Sequence, residues 1–374
     1  MLRNPLGGML FLLILYLSSF LGIIFILGPS LPLMLIKPKW YRWFSDKAIA
    51  LWLIVAPGLL ELAHGVKVVI SGDKPIRNDV ALIVMNHRCY FDWMFYWSVL
   101  VRYGKLCYLR VVMKDILKYI PGIGWGMQGA MYLFLKRRWE QDEEYLNNVL
   151  DYFKDMNYPI QLMIFPEGTN LDNYSQPRSD SYARKNNLPL YKHVLHPRVR
   201  GFVHCIEKLR KATRRIDAVY DVTIGYDQDY CYREVDIAKG NFPKEIHFEI
   251  KRYHINEMPT DYSELEQWLC QRWAEKEERL ARFYKNDEVG FCAPGDELVQ
   301  DSTDKQESTV KKQMIFSVIF FIFVIIACFY ILYRFVYARW YMVVLICMYV
   351  IQCFIGFGMD RVQLWIHNRF DKDI

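Results

Sequence analysis

The sequence predicts a layered α/β domain built on a mixed sheet and tethered at both ends by apolar membrane segments. Three observations carry this expectation. The 374 residues are 53% hydrophobic, yet their mean hydropathy is only +0.01, so a polar middle offsets apolar ends. No charged residue occurs from Asn4 to Ile36, from Gln313 to Tyr333, or from Trp340 to Met359. Between those ends, short β-branched runs alternate with helical text, the pattern of helices layered on a sheet.

The N-terminal run exceeds the roughly 20 apolar residues that cross a bilayer. It also outlasts the apolar region of a cleavable signal peptide, and it reads as an uncleaved anchor. Pro29 and Pro32 are expected to break the helix, leaving Leu6 to Gly28 as the span and the remainder as an interfacial or re-entrant piece. Residues 1–64 then hold the anchor and interfacial helices, 65–287 the α/β domain, 288–312 a polar linker, and 313–374 a transmembrane hairpin with its tail. Lys37, Lys39, Arg42 and Lys47 follow the first span, which places the polar middle in the cytosol by the positive-inside rule. A lumenal middle stays open through the glycosylation pattern Asn173-Tyr174-Ser175.

Within the domain, "VKVVI", "DVALIVM", "LCYLRVVMK", "MYLFL", "YPIQLMIF", "AVYDVTIGY" and "EIHFEIKRYHI" read as strands. Asp92 to Tyr103 is aromatic helical text, "EQDEEYLNNVLDYFKDM" an amphipathic helix, and "HPRVRGFVHCIEKLRKA" a turn or strand entering a helix. A long terminal helix, "SELEQWLCQRWAEKEERLARFY", carries Ser263 as its cap and Glu266 three residues later. Nine cysteines without a C-x-x-C pair support neither a zinc site nor a disulfide framework, and no metal is expected. A net charge of +6 suits an anionic membrane surface, and no basic and aromatic motif points to nucleic acid.

The chemistry concentrates at strand ends. His87 and Asp92 are five residues apart, which on one helix separates them by roughly 140°. They meet only if a strand ends at Met85, the chain turns through Arg88 to Phe91, and a helix opens at Asp92. The carboxylate then orients one imidazole nitrogen while the other faces a substrate, as in a general base with its orienter. Without such a turn, His87 is a strand-end histidine satisfying a carbonyl and Asp92 a helix cap. Glu167, Gly168, Thr169 and Asn170 follow a second strand, in "FPEGTN", and sites in such sheets gather at the carboxyl ends of strands. Arg137 follows a third, where its fork suits a phosphate; the alternative is a solvated surface cation. Trp93, Phe95 and Trp97 are either core or the lining of an apolar channel opening to the bilayer.

These residues resemble the glycerophospholipid acyltransferases related to 1-acylglycerol-3-phosphate acyltransferase. Asn86-His87 with Asp92 is similar to the family's H-x4-D block, and "MYLFLKR" to its G-x-x-F-I-x-R block with Met131 in place of glycine. "FPEGTN" is similar to the E-G-T-R block with Asn170 in place of arginine, and "VYDVTI" to the last block with Asp221 in place of proline. Stretches such as "PGIGWGMQGAMYLFLKRRWEQD" and "VLHPRVRGF" look most like the lysocardiolipin acyltransferase branch.

The resemblance implies acyl transfer from acyl-CoA, a co-substrate, to a hydroxyl of an anionic lysophospholipid, with no resident cofactor. It implies His87 as base, Asp92 as its orienter, and Arg137, Glu167, Gly168, Thr169 and Asn170 at the acceptor. Asn170 removes a cation suited to a phosphate monoester, which favours lysophosphatidylinositol, lysophosphatidylglycerol or lysocardiolipin over lysophosphatidic acid. An endoplasmic reticulum membrane with the domain facing the cytosol is expected. Two rival readings remain: a phosphatidic acid-forming enzyme, and a non-catalytic lipid-binding scaffold.

Overall fold

Seven strands, β1 (Lys67–Gly72), β2 (Ala81–Met85), β3 (Leu109–Lys114), β4 (Leu133–Leu135), β5 (Gln161–Ile164), β6 (Ala218–Tyr226) and β7 (Glu245–His254), form one sheet. This computed structural model describes residues 1–211, 215–229, 232–285, 291 and 304–370. The strand order is β1-β7-β6-β2-β5-β3-β4, and every pair is parallel except β6 with β7. The sheet is therefore mixed, as expected.

Central strands are apolar on both faces because helices cover both. In β2, Ala81, Ile83 and Met85 enter one core with the helices Asp92–Phe95 and Trp97–Tyr103. Leu82 and Val84 enter a second core with the helices Trp139–Asp155, Val199–Arg210 and Tyr262–Lys285. The helix Trp139–Asp155 shows why such text folds as it does: Leu146, Val149, Leu150 and Phe153 form its buried stripe. Glu140 and Asp142 occupy its first turn and Lys154 its last, matching the helix dipole.

The terminal helix begins one residue earlier than the expected cap. It opens at Tyr262, and the Ser263 amide donates to Asp261 Oδ2 at 2.8 Å. The carboxylate just outside the helix takes that orphan donor, so Asp261 and not Ser263 is the cap.

The N-terminal segment also departs from expectation. Pro29 and Pro32 do not break it: an α-helix (Pro5–Gly22) passes through a π turn (Ile23–Leu27) and a 3₁₀ turn (Gly28–Ser30) into Leu31–Ile36. Each proline falls in the first turn of a new segment, where its missing N–H removes no needed bond. The run keeps contact with the domain along its length. Arg3 donates to the Phe242 and Pro243 carbonyls at 2.9 and 3.1 Å. Midway, a Cβ on Gly122, whose φ is +77°, would lie 2.8 Å from Phe20 Cα. Beyond the run, Arg42 of the helix Pro38–Leu53 donates to Gln363 Oε1 at 2.7 Å.

Pro5–Ile36, Lys305–Arg334 and Val336–Phe354 are each long and apolar enough to cross a membrane. The last two form the expected hairpin. Most of the linker expected over 288–312 lies outside the described residues, and from Asp304 onward the chain is already helical. After the hairpin comes a helix absent from the sequence reading, Met359–Phe370. It returns to the domain: Tyr145 donates to Asp360 Oδ2 at 2.7 Å, and the Met359 amide to Gln128 Oε1 at 2.9 Å.

Strand β6 is buried at every position, and Asp221 lies within it. Lys276 of the helix Tyr262–Lys285 meets it at 2.5 Å with both side chains fully buried, and also donates to the Val222 carbonyl at 2.6 Å. A buried charge that loses its partner costs about 3–5 kcal/mol, whereas replacing both partners by apolar groups is often neutral. Lys276→Met should therefore lower the thermal unfolding midpoint in detergent sharply, and Asp221→Leu with Lys276→Met should recover most of the loss. An unchanged midpoint in the single variant would refute the pairing.

Candidate active site

Strand β2 ends at Met85, and the next residue fixes the direction in which the chain leaves it. Asn86 donates to the Ile224 carbonyl at 3.1 Å and accepts from the Ile224 amide at 2.8 Å, so its side chain ties this strand end to β6. The chain then turns, and the helix opens at Asp92. This is the geometry that lets residues five apart meet: His87 Nδ1 lies 2.9 Å from Asp92 Oδ2.

Asp92 is fully buried, and its charge is held by convergent donors. The Arg88 and Cys89 amides donate to Oδ2 at 2.6 and 2.9 Å, and the Tyr226 hydroxyl donates to Oδ1. Asp92 is not the cap of its own helix; its carboxylate points back into the turn. Burial, and then the Asp92 charge, hold the Tyr226 phenol far above its usual range, so it stays a donor. Tyr226 was not singled out from the sequence. Its signal was weak: an aromatic at the end of β6, the strand that pairs with β2.

Glu167 has a different place from the one expected. It is buried, and it touches the backbone of the base. Oε1 accepts from the His87 amide at 3.1 Å and from Trp273 Nε1 at 3.3 Å, while Oε2 accepts from the Leu195 amide at 3.1 Å. Burial pushes its carboxyl up to about 8, against the pull of the Leu195 and His87 amides. On the other side, the His87 carbonyl accepts from the Leu171 amide at 2.7 Å. Glu167 thus ties the backbone of His87 to the loop after β5, and Trp273 brings the terminal helix to the same carboxyl.

The His87 ring lies against Phe165, with centroids 4.3 Å apart. Its side chain is 15% exposed, and among the described residues Nε2 has no hydrogen-bond partner. With Nδ1 donating to Asp92, Nε2 carries the free lone pair.

Around this centre the expected acceptor residues divide. Gly168, with φ +73°, makes the tight turn after Glu167, and Thr169 is half-buried beside it. Asn170 turns inward, its amide 3.4 Å from Asp172 Oδ2. Arg137 is exposed and sits in the left-handed region, φ +63°, because Asp142 takes the amides on both sides of it, Lys136 at 2.8 Å and Arg138 at 2.9 Å. Desolvation, and next the Arg198 guanidinium, lower its pKa from the usual arginine range.

The aromatic candidates also divide. Phe95 is fully buried in the core and packs edge-on against Tyr226, with centroids 6.1 Å apart. Trp97 lines an apolar cavity together with Ser18, Ile23, Trp52, Met127 and Phe321. Trp93 stands behind it, 5.1 Å from the Trp97 ring, its indole donating to the Tyr90 carbonyl at 2.7 Å.

A histidine held by a buried carboxylate at the end of a parallel strand is suited to proton transfer at a strand-end site. Comparison with known proteins gives the class its family. The model described as Acyltransferase matches residues 67–227, and the one described as Acyltransferase C-terminus matches residues 236–324. The chain is 42% identical to a protein named Lysocardiolipin acyltransferase 1 from Gallus gallus, over 98% of this chain and 96% of that one. It is 35% identical to Lysophosphatidylinositol acyltransferase 10 of Caenorhabditis elegans, over 77% of this chain and 74% of that one. Against a protein named Probable 1-acyl-sn-glycerol-3-phosphate acyltransferase 5 from Arabidopsis thaliana the identity is 34%, over 76% and 75%. The chain belongs to the glycerophospholipid acyltransferase family, as its four blocks imply.

Glu167→Gln replaces one acceptor oxygen with an NH₂ group facing an amide donor. Displacement of a reacting group by about 1 Å can cost roughly 10²-fold in rate. The variant should lose at least about 10-fold in kcat while KM for the lipid acceptor stays nearly unchanged, read from steady-state acyl transfer in membranes. A large rise in acceptor KM at unchanged kcat would instead make Glu167 a substrate contact.

Proposed function

We propose that the protein is a membrane-bound lysophospholipid acyltransferase that uses acyl-CoA as donor and an anionic lysophospholipid as acceptor. The observation that carries this reading is the open Nε2 of His87, whose Nδ1 is committed to the buried Asp92. A hydroxyl attacks a thioester well only as it loses its proton, and a neutral imidazole can take that proton. Nε2 of His87 accepts it as the hydroxyl oxygen bonds to the thioester carbonyl carbon. Asp92 stabilises the imidazolium so formed. The C–S bond then breaks, and the proton returns from Nε2 to the departing thiolate, leaving an ester and free CoA. No acyl-enzyme is needed.

The acceptor's phosphate is assigned to the Arg137 rim. The inward turn of Asn170 supports a diester headgroup of the lysophosphatidylinositol, lysophosphatidylglycerol or lysocardiolipin type, in keeping with the names of the relatives from Gallus gallus and Caenorhabditis elegans. An acyl chain is assigned to the cavity behind Trp97, which is lined in part by residues of the N-terminal apolar run. The basic residues after the first apolar run support a cytosolic domain, and the endoplasmic reticulum membrane is the proposed site.

Removing a general base costs about 10² to 10⁴-fold in rate. His87→Ala should lose that much acyl transfer from labelled acyl-CoA to a panel of lysophospholipids, and Asp92→Asn should follow through the wrong tautomer. Full activity in a folded His87→Ala protein would sink the mechanism; phospholipid binding without acyl-CoA consumption by the unaltered protein would sink the function. Trp97→Ala should shift the preferred acyl length toward longer chains, and an unchanged length profile would empty the cavity of that role.

A further inference from the structure

We propose that Arg198 is a second phosphate-binding cation of the acceptor site and supplies the charge that position 170 lacks. The proposal rests on the acyltransferase reading and names a residue outside the family blocks recognised in the sequence.

Arg198 reaches the site through the loop before the helix Val199–Arg210. That loop is fastened to the loop after β5 at two points: the Leu195 amide donates to Glu167 Oε2 at 3.1 Å, and the Arg198 amide to the Pro166 carbonyl at 2.7 Å. Glu167 also holds His87, so Arg198 is built on the same frame as the base.

Its side chain lies over Gly168. A Cβ placed on Gly168 would come 3.2 Å from Arg198 Nε and 3.4 Å from its Cζ. Glycine here therefore does two things: it accepts φ +73°, and it leaves room for a guanidinium directly above the turn. Arg137 is presented by the turn that Asp142 holds, and the Arg198 charge acts on it.

Both guanidiniums are exposed, and together they offer an incoming anion a doubly cationic surface. Elsewhere in the chain arginines with fixed positions meet carboxylates: Arg88 with Asp229, Arg102 with Glu61, Arg110 with Asp46. Among the described residues, neither Arg137 nor Arg198 has an ion-pair or hydrogen-bond partner for its guanidinium. A guanidinium lying over the glycine turn that follows Glu167, with a second close enough to feel its charge, suits the non-bridging oxygens of one phosphate. Arg178 is the competing cation: it is exposed on the helix Ser175–Lys185, which follows the same loop.

The test compares Arg198→Ala, Arg198→Lys and Arg178→Ala in membranes. A charge-assisted hydrogen bond of this kind corresponds to about a 10- to 100-fold change in binding. Arg198→Ala should raise KM for an anionic lysophospholipid by that factor, with kcat and KM for acyl-CoA within about twofold. Arg198→Lys should recover part of the loss, and Arg178→Ala should leave KM unchanged. With monoacylglycerol, an acceptor without phosphate, Arg198→Ala should have no effect.

The proposal falls if the acyl-CoA KM rises instead, which would assign Arg198 to the phosphates of CoA. It falls equally if Arg178→Ala carries the effect, or if Arg198→Ala lowers kcat with every acceptor. In the His87→Ala background, binding of lysophosphatidylinositol vesicles gives a readout independent of turnover. Loss of binding on adding Arg198→Ala supports the phosphate site even if the transfer chemistry were wrong, and unchanged binding overturns it.

Discussion

The site depends on one buried charge. Asp92 has no access to water, yet it accepts from His87 Nδ1, two backbone amides and the Tyr226 hydroxyl. An isolated carboxylate in that place would be far too costly to keep ionised. The donors make it tolerable, and in doing so they dictate the conformation of the turn: Arg88 and Cys89 must aim their amides inward, and His87 Nδ1 turns to the same carboxylate, which leaves its Nε2 edge unclaimed among the described residues. The same carboxylate therefore shapes the loop and orients the imidazole.

Other polar groups extend this frame through the molecule. Asn86 ties the end of β2 to β6, and Glu167 ties His87 to the loops after β5 and before the helix Val199–Arg210. Trp273 and Lys276 lie a turn apart on the terminal helix, one reaching Glu167 and the other Asp221. Three strands and a helix distant in sequence thus converge on one histidine, and each connection crosses apolar core where water does not compete. The helix Pro38–Leu53, which follows the N-terminal run, and the returning helix Met359–Phe370 meet through Arg42 and Gln363.

Much of this was legible in the sequence because the fold's signals are local. All seven strands fall on the runs read as strands, with β1 continuing past its run to Gly72, and helix geometry required a turn if His87 and Asp92 were to meet. What stayed hidden was long-range. Asp221 looked like a departure from a motif until Lys276, 55 residues later, appeared as its buried partner. Tyr226 and Trp273 are ordinary aromatics until the sheet and the terminal helix bring them to Asp92 and Glu167. The prolines misled because breaking power was judged from the residue, whereas a π and a 3₁₀ turn absorbed them. Phe95 and Trp97 belong to the same aromatic stretch, and only packing could assign one to core and the other to a cavity.

The central claim is that the neutral His87 imidazole carries its proton on Nδ1, toward Asp92, and presents a bare Nε2. Nitrogen-15 NMR of the histidine-labelled protein in bilayers tests this most directly, with the His87 signals assigned by their loss in His87→Gln. The account predicts a protonated Nδ1 and an unprotonated Nε2, with the pattern perturbed in Asp92→Asn. A proton on Nε2 with Nδ1 bare, or a spectrum indifferent to Asp92→Asn, would contradict it.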